Sequence, residues 1–165
     1  MKTTASWCGF AALGSGLILC AVAAGADPPI AAPLVAVAAV ELVWGAAALR
    51  SGRVPTPRMA LVIGAVVVAL AIALLFAGVV GVIPLLALLV LHWTAAVLTV
   101  LALRRGRAGR VRLRRSRPAS LVLILTAQAM LVAAITTPAL AHTSPGESAV
   151  PHGTLHSPLR GPHAH

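Results

Sequence analysis

The stretch that decides the fold is MALVIGAVVVALAIALLFAGVVGVIPLLALLVLHWTAAVLTVLAL, from Met59 to Leu103, which contains no Asp, Glu, Lys or Arg. As one α-helix it would be roughly 65 Å long, about twice the hydrocarbon core of a bilayer. The chain must therefore turn back within it. Gly78, Gly81 and Pro84 mark the turn, because glycine permits positive φ and proline starts a helix more readily than it continues one. The stretch predicts a transmembrane helical hairpin.

Three further apolar runs flank this hairpin. The five predicted spans are residues 7–26, 30–49, 59–80, 83–103 and 120–141. Each holds about 20 residues, which at 1.5 Å per residue crosses the bilayer core. Hydrophobic residues make up 59% of the chain and charged residues 10%, which leaves no room for a soluble domain. The predicted fold is all-α, a polytopic transmembrane helix bundle in residues 1–141 with a disordered C-terminal tail in residues 142–165.

The loops predict the orientation of this bundle. Lys2, the arginines between spans two and three, and those of a basic loop at residues 104–117 all fall on one side, and only Arg160 falls elsewhere. Because short loops rich in Lys and Arg stay in the cytoplasm, we expect the N-terminus inside and the C-terminus outside. The loop arginines are also expected to bind anionic lipid headgroups. They are Arg50, Arg53, Arg58, Arg104, Arg105, Arg107, Arg110, Arg112, Arg114, Arg115 and Arg117.

Composition narrows the class of protein further. Arginine outnumbers lysine twelve to one, a bias expected of a GC-rich bacterial genome, so we expect a multi-pass protein of a bacterial plasma (inner) membrane. The net charge of +10 does not predict nucleic-acid binding, because the basic loop has no aromatic residue on which a base could stack. No P-loop, H-E-x-x-H, C-x-x-C or G-x-S-x-G pattern occurs, so we do not expect an enzyme.

Two segments also carry features of cleavable signal sequences. The first span has a basic start, an apolar run and small residues before Asp27, and the last ends in the A-x-A pattern Ala139-Leu140-Ala141. Retention of the first span is the preferred interpretation, because only Asp27-Pro28-Pro29 separates it from the second. An uncleaved fifth helix is preferred for the last, because small residues are frequent throughout the chain. Cleavage at either place stays open.

Three strongly polar side chains lie inside predicted spans, where exposure to lipid is costly. Glu41, His92 and Gln128 belong to spans two, four and five. Each lies roughly 12 to 18 Å from the cytoplasmic boundary, so we expect the three to meet. Such a cluster can relay protons or coordinate a cation, or it can join helices by hydrogen bonds. The second interpretation is preferred, because no other acidic residue lies in a span.

Span three carries a ridge of small residues, one every four positions. Such a ridge lets helix backbones approach closely, so it can face another span or a second copy of the chain. Its members are Ala65, Ala69, Ala73, Ala77 and Gly81.

The tail HTSPGESAVPHGTLHSPLRGPHAH contains most of the histidines and is rich in Pro, Gly and Ser. Flexible neutral imidazoles can converge on Cu(II) or Zn, so one interpretation of the tail is weak extracytoplasmic metal binding, and the other is a solvated tail whose histidines are incidental. No other cofactor is expected. The candidate ligands are His142, His152, His156, His163 and His165.

These patterns favour a small, non-catalytic membrane protein that supports, assembles or regulates a partner, with a membrane protein or a second copy as that partner. The alternative is a small proton- or cation-coupled transporter in which Glu41 and His92 form the coupling pair.

Overall fold

A computed structural model of the chain describes residues 2–54, 56–107 and 118–148. These residues form helices α1 (Lys2–Ala24), α2 (Pro28–Ser51), α3 (Pro57–Phe76), α4 (Val82–Arg107), α5 (Pro118–Ala141) and the short α6 (Ser144–Glu147). Helices α1 to α5 are each long and apolar enough to cross a membrane. This confirms the predicted all-α transmembrane bundle with five spans. Residues 108–117 of the basic loop and 149–165 of the tail lie outside the described residues.

Several helix boundaries differ from the predicted spans. α1 begins at Lys2 rather than at residue 7, and α4 continues to Arg107, so the first residues of the predicted loop 104–117 are helical. The sequence prediction followed the change from apolar to polar residues, which marks the membrane boundary. A helix can continue past that boundary because its backbone hydrogen bonds are internal and arginine is a good helix former.

The turn between α3 and α4 lies where the glycines predicted it. α3 ends earlier than predicted, at Phe76, because Gly78 adopts a left-handed conformation with φ of 71°. The amide of Val79 donates to the carbonyl of Leu74, and that of Gly78 donates to Leu75, at 2.9 and 3.0 Å. This pair of bonds is a Schellman motif, which satisfies the carbonyls at the end of α3. The charge-free stretch therefore folds into a helical hairpin.

Small residues bring α1 and α2 into the closest contact in the bundle. A Cβ atom built on Gly45 would lie only 2.8 Å from the carbonyl oxygen of Gly9, and one built on Gly16 would lie 3.1 Å from that of Ala38. Close backbone approach of this kind is how helices associate without a hydrophobic driving force in lipid. The buried face of α2 consists of Leu34, Ala38, Glu41, Gly45 and Ala48.

Helix α1 is the centre of the bundle, and α3 is the most peripheral span. α1 packs against α2, α4 and α5. Among the described helices, α3 makes extensive contact only with α4. α2 and α3 are consecutive in the chain, yet no comparable contact joins them. α2 and α3 therefore form the two walls of a groove whose floor is α1 and α4.

The first part of the predicted disordered tail is ordered. α6 packs against α1 and α5, and Ser144 lies against Gly25 so closely that a Cβ there would be 2.8 Å from the Ser144 Cβ. Thr143 is buried, and its hydroxyl donates to the carbonyl of Leu140 at 2.7 Å. This corrects the prediction that disorder begins at residue 142, because residues 142–148 cover the end of the bundle. The sequence showed only a Pro, Gly and Ser content typical of flexible chains.

Candidate functional site

The space between the two walls is the candidate site, here named the α2–α3 groove. It has a volume of about 580 Å³, with α2 and α3 as walls and α1 and α4 as floor. It extends from Ala60 and Thr99, near the predicted cytoplasmic end, to Ile72 and Leu89 deeper in the bundle. Most of its lining is Ala, Val, Leu and Ile, so the groove offers a largely apolar surface.

Glu41 and His92 meet inside this groove. Oε1 of Glu41 lies 3.4 Å from Nε2 of His92, and their side chains are 6% and 11% exposed. Glu41 comes from α2 and His92 from α4. The predicted meeting of these two residues is therefore present in the structure. It joins two helices and places ionisable groups against apolar walls.

The hydrogen bonds of His92 define which ring nitrogen carries a proton. Nδ1 lies 2.9 Å from the carbonyl oxygen of Leu88, and because a carbonyl only accepts, Nδ1 must be the donor. Nε2 then faces Glu41 either as the acceptor from a protonated carboxyl or as the donor to a carboxylate. Either form places one proton between the two side chains and leaves the pair neutral overall. Without that proton, a carboxylate would face a nitrogen lone pair in a low-dielectric site, which is unfavourable.

Two helical contacts hold the pair in place. Glu41 lies on the face of α2 that packs closely on α1, between Ala38 and Gly45. The ring of His92 lies against Gly64 of α3, where a Cβ would be 3.1 Å from its Cδ2 atom. Glycine at this position allows the imidazole to lie directly on the α3 backbone. The sequence indicated the depth of these residues, but it did not indicate the contribution of Gly64.

Two indoles complete the groove beside the pair. Trp44 is one helical turn past Glu41, and Trp93 follows His92 in sequence, and both line the groove. Trp93 is 69% exposed on the protein surface, so its ring lies at the open side of the groove. On the floor, the Cys8 sulfur lies 3.5 Å from the Thr99 hydroxyl. The sequence does not indicate that Trp44 and Trp93 line a groove, because tryptophans in membrane spans are usually explained as packing or interface residues.

Gln128 does not join Glu41 and His92, so the predicted three-residue cluster is wrong in this respect. Its side-chain oxygen accepts a hydrogen bond of 2.6 Å from Ser6, and its amide donates to the carbonyl of Thr3 at 3.1 Å. These bonds attach α5 to the start of α1. Gln128 lies at the predicted depth, but it faces the opposite neighbour, because depth along a helix does not define the direction of a side chain.

The small-residue ridge of α3 is not buried by another span of this chain. All five residues are exposed, and Ala65 and Ala69 line the groove. Of the two alternatives for the ridge, packing on a neighbouring span is not seen among the described residues, where the tight small-residue contact is between α1 and α2. Association of the ridge with a second copy stays a prediction.

The arginines and histidines predicted as sites are described only in part. Arg50, Arg53, Arg58 and Arg104 are exposed, and His142 is exposed beside α6. Arg105 and Arg107 belong to α4, but their side chains are not described. Lying outside the described residues are Arg110, Arg112, Arg114, Arg115, Arg117, His152, His156, His163 and His165. Within residues 2–54, 56–107 and 118–148, no group of three His, Cys, Asp or Glu side chains could hold a metal ion.

The arrangement combines an apolar groove with the Glu41–His92 pair. On the floor of the groove, the Cys8 sulfur lies near the Thr99 hydroxyl and the Ala95 carbonyl. Pockets of this size and composition are typical of small-molecule sites, which are mostly apolar with a few polar groups that fix orientation. Comparisons with protein-family models, with curated proteins and with solved structures found no match to this chain.

Proposed function

We propose that this chain is a non-catalytic accessory protein of the membrane that binds a small hydrophobic ligand from the bilayer in the α2–α3 groove. The observation that carries the proposal is the separation of α2 from α3 above a buried Glu41–His92 pair. A groove that served only as a packing defect would have no reason to contain an ionisable pair, which costs free energy in a bilayer.

The size of the groove favours a small molecule as its occupant. At about 580 Å³ it falls within the roughly 300–1,000 Å³ of ordinary ligand pockets. Its open side faces the region that lipid occupies in a membrane, as the exposed Trp93 indicates. A hydrophobic ligand would therefore enter sideways between α2 and α3. The protein would support or regulate a partner through the ligand that it holds.

Photolabelling tests this proposal. The protein in lipid vesicles is treated with a neutral alkyl diazirine, illuminated, digested and mapped by mass spectrometry. We expect a saturable label on groove residues, and we expect Ala65→Phe to reduce it strongly because Ala65 lines the groove. Ala73→Phe is the matched control, since Ala73 is exposed on the same ridge but does not line the groove. A label that both variants leave unchanged contradicts the proposal.

A second candidate function is a small proton- or cation-coupled transporter, and the Glu41–His92 contact favours it. Proton flux into vesicles, reported by an enclosed pH dye under an imposed potential, separates the two functions. A transporter should lose flux in Glu41→Gln and in His92→Ala while both variants still fold. An accessory protein should show no flux above that of empty vesicles in any form.

We also propose that the bundle lies in a bacterial plasma membrane with its N-terminus in the cytoplasm. The asymmetric arginines support this orientation, and they would contact anionic headgroups, each contributing on the order of 1 kcal/mol. Weak Cu or Zn binding by the histidine-rich tail would then be extracytoplasmic. Nothing in the proposal requires nucleic acid.

A further inference from the structure

We propose that the α2–α3 groove binds a lipophilic organic cation, which replaces the proton shared by Glu41 and His92. This inference rests on the proposed function of the groove and adds the chemical class of its ligand.

The net charge of the Glu41–His92 pair determines which ligand charge the groove can accept. With Nδ1 of His92 donating to Leu88, one shared proton makes the Glu41–His92 pair neutral. A cation that enters beside the pair adds one positive charge, which a low-dielectric site disfavours. Neutrality returns when the shared proton leaves to solvent and the Glu41 carboxylate becomes the counter-ion of the ligand. The positive charge of the ligand then offsets the repulsion between the carboxylate and the Nε2 lone pair of His92. One cation is therefore bound for each proton released.

Among the residues that the structure describes, no other charged group lines the groove. Among the described lining residues the titratable side chains are Cys8, Glu41 and His92, and none is Lys or Arg. Arg58 lies six residues before Gly64 and Arg104 twelve after His92, roughly 9 and 18 Å away along their helices. Both lie toward the predicted cytoplasmic end, outside the lining. A cation that enters sideways from the bilayer reaches the pair without passing them.

The indoles provide the second recognition element. The ring face of tryptophan attracts cations, most strongly where water is excluded. Trp44 and Trp93 line the groove on α2 and α4, the same two helices that carry Glu41 and His92. A cation with a delocalised charge and apolar substituents would contact both the rings and the aliphatic walls. An anion would need a second proton on the pair for neutrality and would meet no Lys or Arg among the described lining residues, and a neutral molecule would have no reason to displace the shared proton.

The experiment uses tetraphenylphosphonium as the probe and the full-length protein in detergent. Binding is followed by equilibrium dialysis, and proton release is followed with a pH dye in weakly buffered solution. We expect about one proton released per cation bound. Because release is favoured at low proton concentration, apparent affinity should increase with pH, by up to about tenfold per unit. Tetraphenylborate, the anion of the same shape, should release none.

Two variants separate the counter-ion role of Glu41 from the ring contact of Trp93. Glu41→Gln retains a side chain that can bond to Nε2 of His92 but cannot become a counter-ion, so it should lose proton release and most of the affinity. Trp93→Ala alters an exposed ring, so it should fold normally, bind the cation more weakly and still release one proton for each cation bound. The neutral photolabel serves as the reference for groove binding.

The outcomes separate the two proposals. If the photolabel is blocked by Ala65→Phe but tetraphenylphosphonium binds no better than tetraphenylborate, or binds without proton release, the cation inference is wrong and the groove remains a ligand site. If neither probe binds the groove, both proposals fail. Proton release that persists in Glu41→Gln would also overturn the inference, because the proton would come from another group.

Discussion

Gly45, in the close contact of α1 with α2, should tolerate an added methyl group less well than Gly64, which lies against His92. A Cβ on Gly45 would lie 2.8 Å from the carbonyl oxygen of Gly9 and 3.2 Å from the Ala12 Cβ. A Cβ on Gly64 would lie 3.1 Å from Cδ2 of His92, with the next atom of that ring at 3.9 Å. The first obstacle is backbone and the second is one edge of a side chain. We therefore expect Gly45→Ala to destabilise the protein more than Gly64→Ala.

The magnitude follows from the difference between the two variants. Each exchange of glycine for alanine in a helix gains about 1 kcal/mol of helix propensity, and this gain cancels when the two are compared. Inserting a methyl group into a tightly packed contact costs about 1–3 kcal/mol, because helices must move apart. At Gly64 the imidazole needs to shift by only a few tenths of an ångström. Gly45→Ala should thus be about 1–3 kcal/mol less stable than Gly64→Ala.

The assay is reversible unfolding in mixed micelles of sodium dodecyl sulfate and a mild detergent, followed by circular dichroism. The free energy of unfolding is compared for the two variants under one set of lipid and detergent conditions. Equal stabilities, or a less stable Gly64→Ala, would refute the reasoning, because they would mean that α1 and α2 do not approach as closely as the Gly9–Gly45 contact requires.

Three further predictions concern other parts of the chain. Ser6→Ala removes the 2.6 Å bond between α1 and α5, so it should lower the free energy of unfolding by about 0.6–1.7 kcal/mol in the same assay. Gln128→Ala should cost more, because it also removes the bond to the Thr3 carbonyl, and fully additive losses in the double variant would contradict the bond that Ser6 and Gln128 share. In a cysteine-free background, an impermeant maleimide applied to intact cells should label Ser148→Cys but not Ser51→Cys, because Ser148 is predicted outside and Ser51 inside. Labelling of Ser51→Cys but not of Ser148→Cys would show that the orientation is the opposite. Truncation after Ser148 should abolish weak Cu binding measured by competitive titration, because it removes His152, His156, His163 and His165, and unchanged binding would exclude these four histidines as the ligands.

The transmembrane part of the fold could be predicted from the sequence because bilayer thickness restricts helix length. The charge-free stretch had to fold back, and Gly78 provides the left-handed residue that the turn needs. The meeting of Glu41 with His92 could be predicted for a similar reason, since the distance of each residue from its basic loop defines its depth. These predictions depend on length along the helix axis, which the sequence gives directly.

Directions around the helix axis could not be predicted in the same way. The spans are apolar on nearly all sides, so hydrophobic periodicity does not distinguish a face that meets protein from one that meets lipid. Gln128 was therefore assigned to the wrong neighbours, and the ridge of α3 was considered for packing while Gly9, Gly16 and Gly45 form the close contact. Small residues are frequent throughout the chain, so their recurrence in one helix has little predictive value without the partner helix.

The unequal packing of the two walls bears directly on how the groove could work. α2, which carries Glu41, packs on α1 with close backbone approach, so the carboxyl group belongs to the most tightly packed helix pair of the described bundle. α3 is held mainly by α4, and its Gly64 lies against the ring of His92. A ligand that widened the groove would displace α3 at the lowest cost in helix contacts, and this movement would remove the backbone from one face of the imidazole. The width of the groove would then affect the surroundings of the pair, because His92 contacts both the acid on α2 and the glycine on α3.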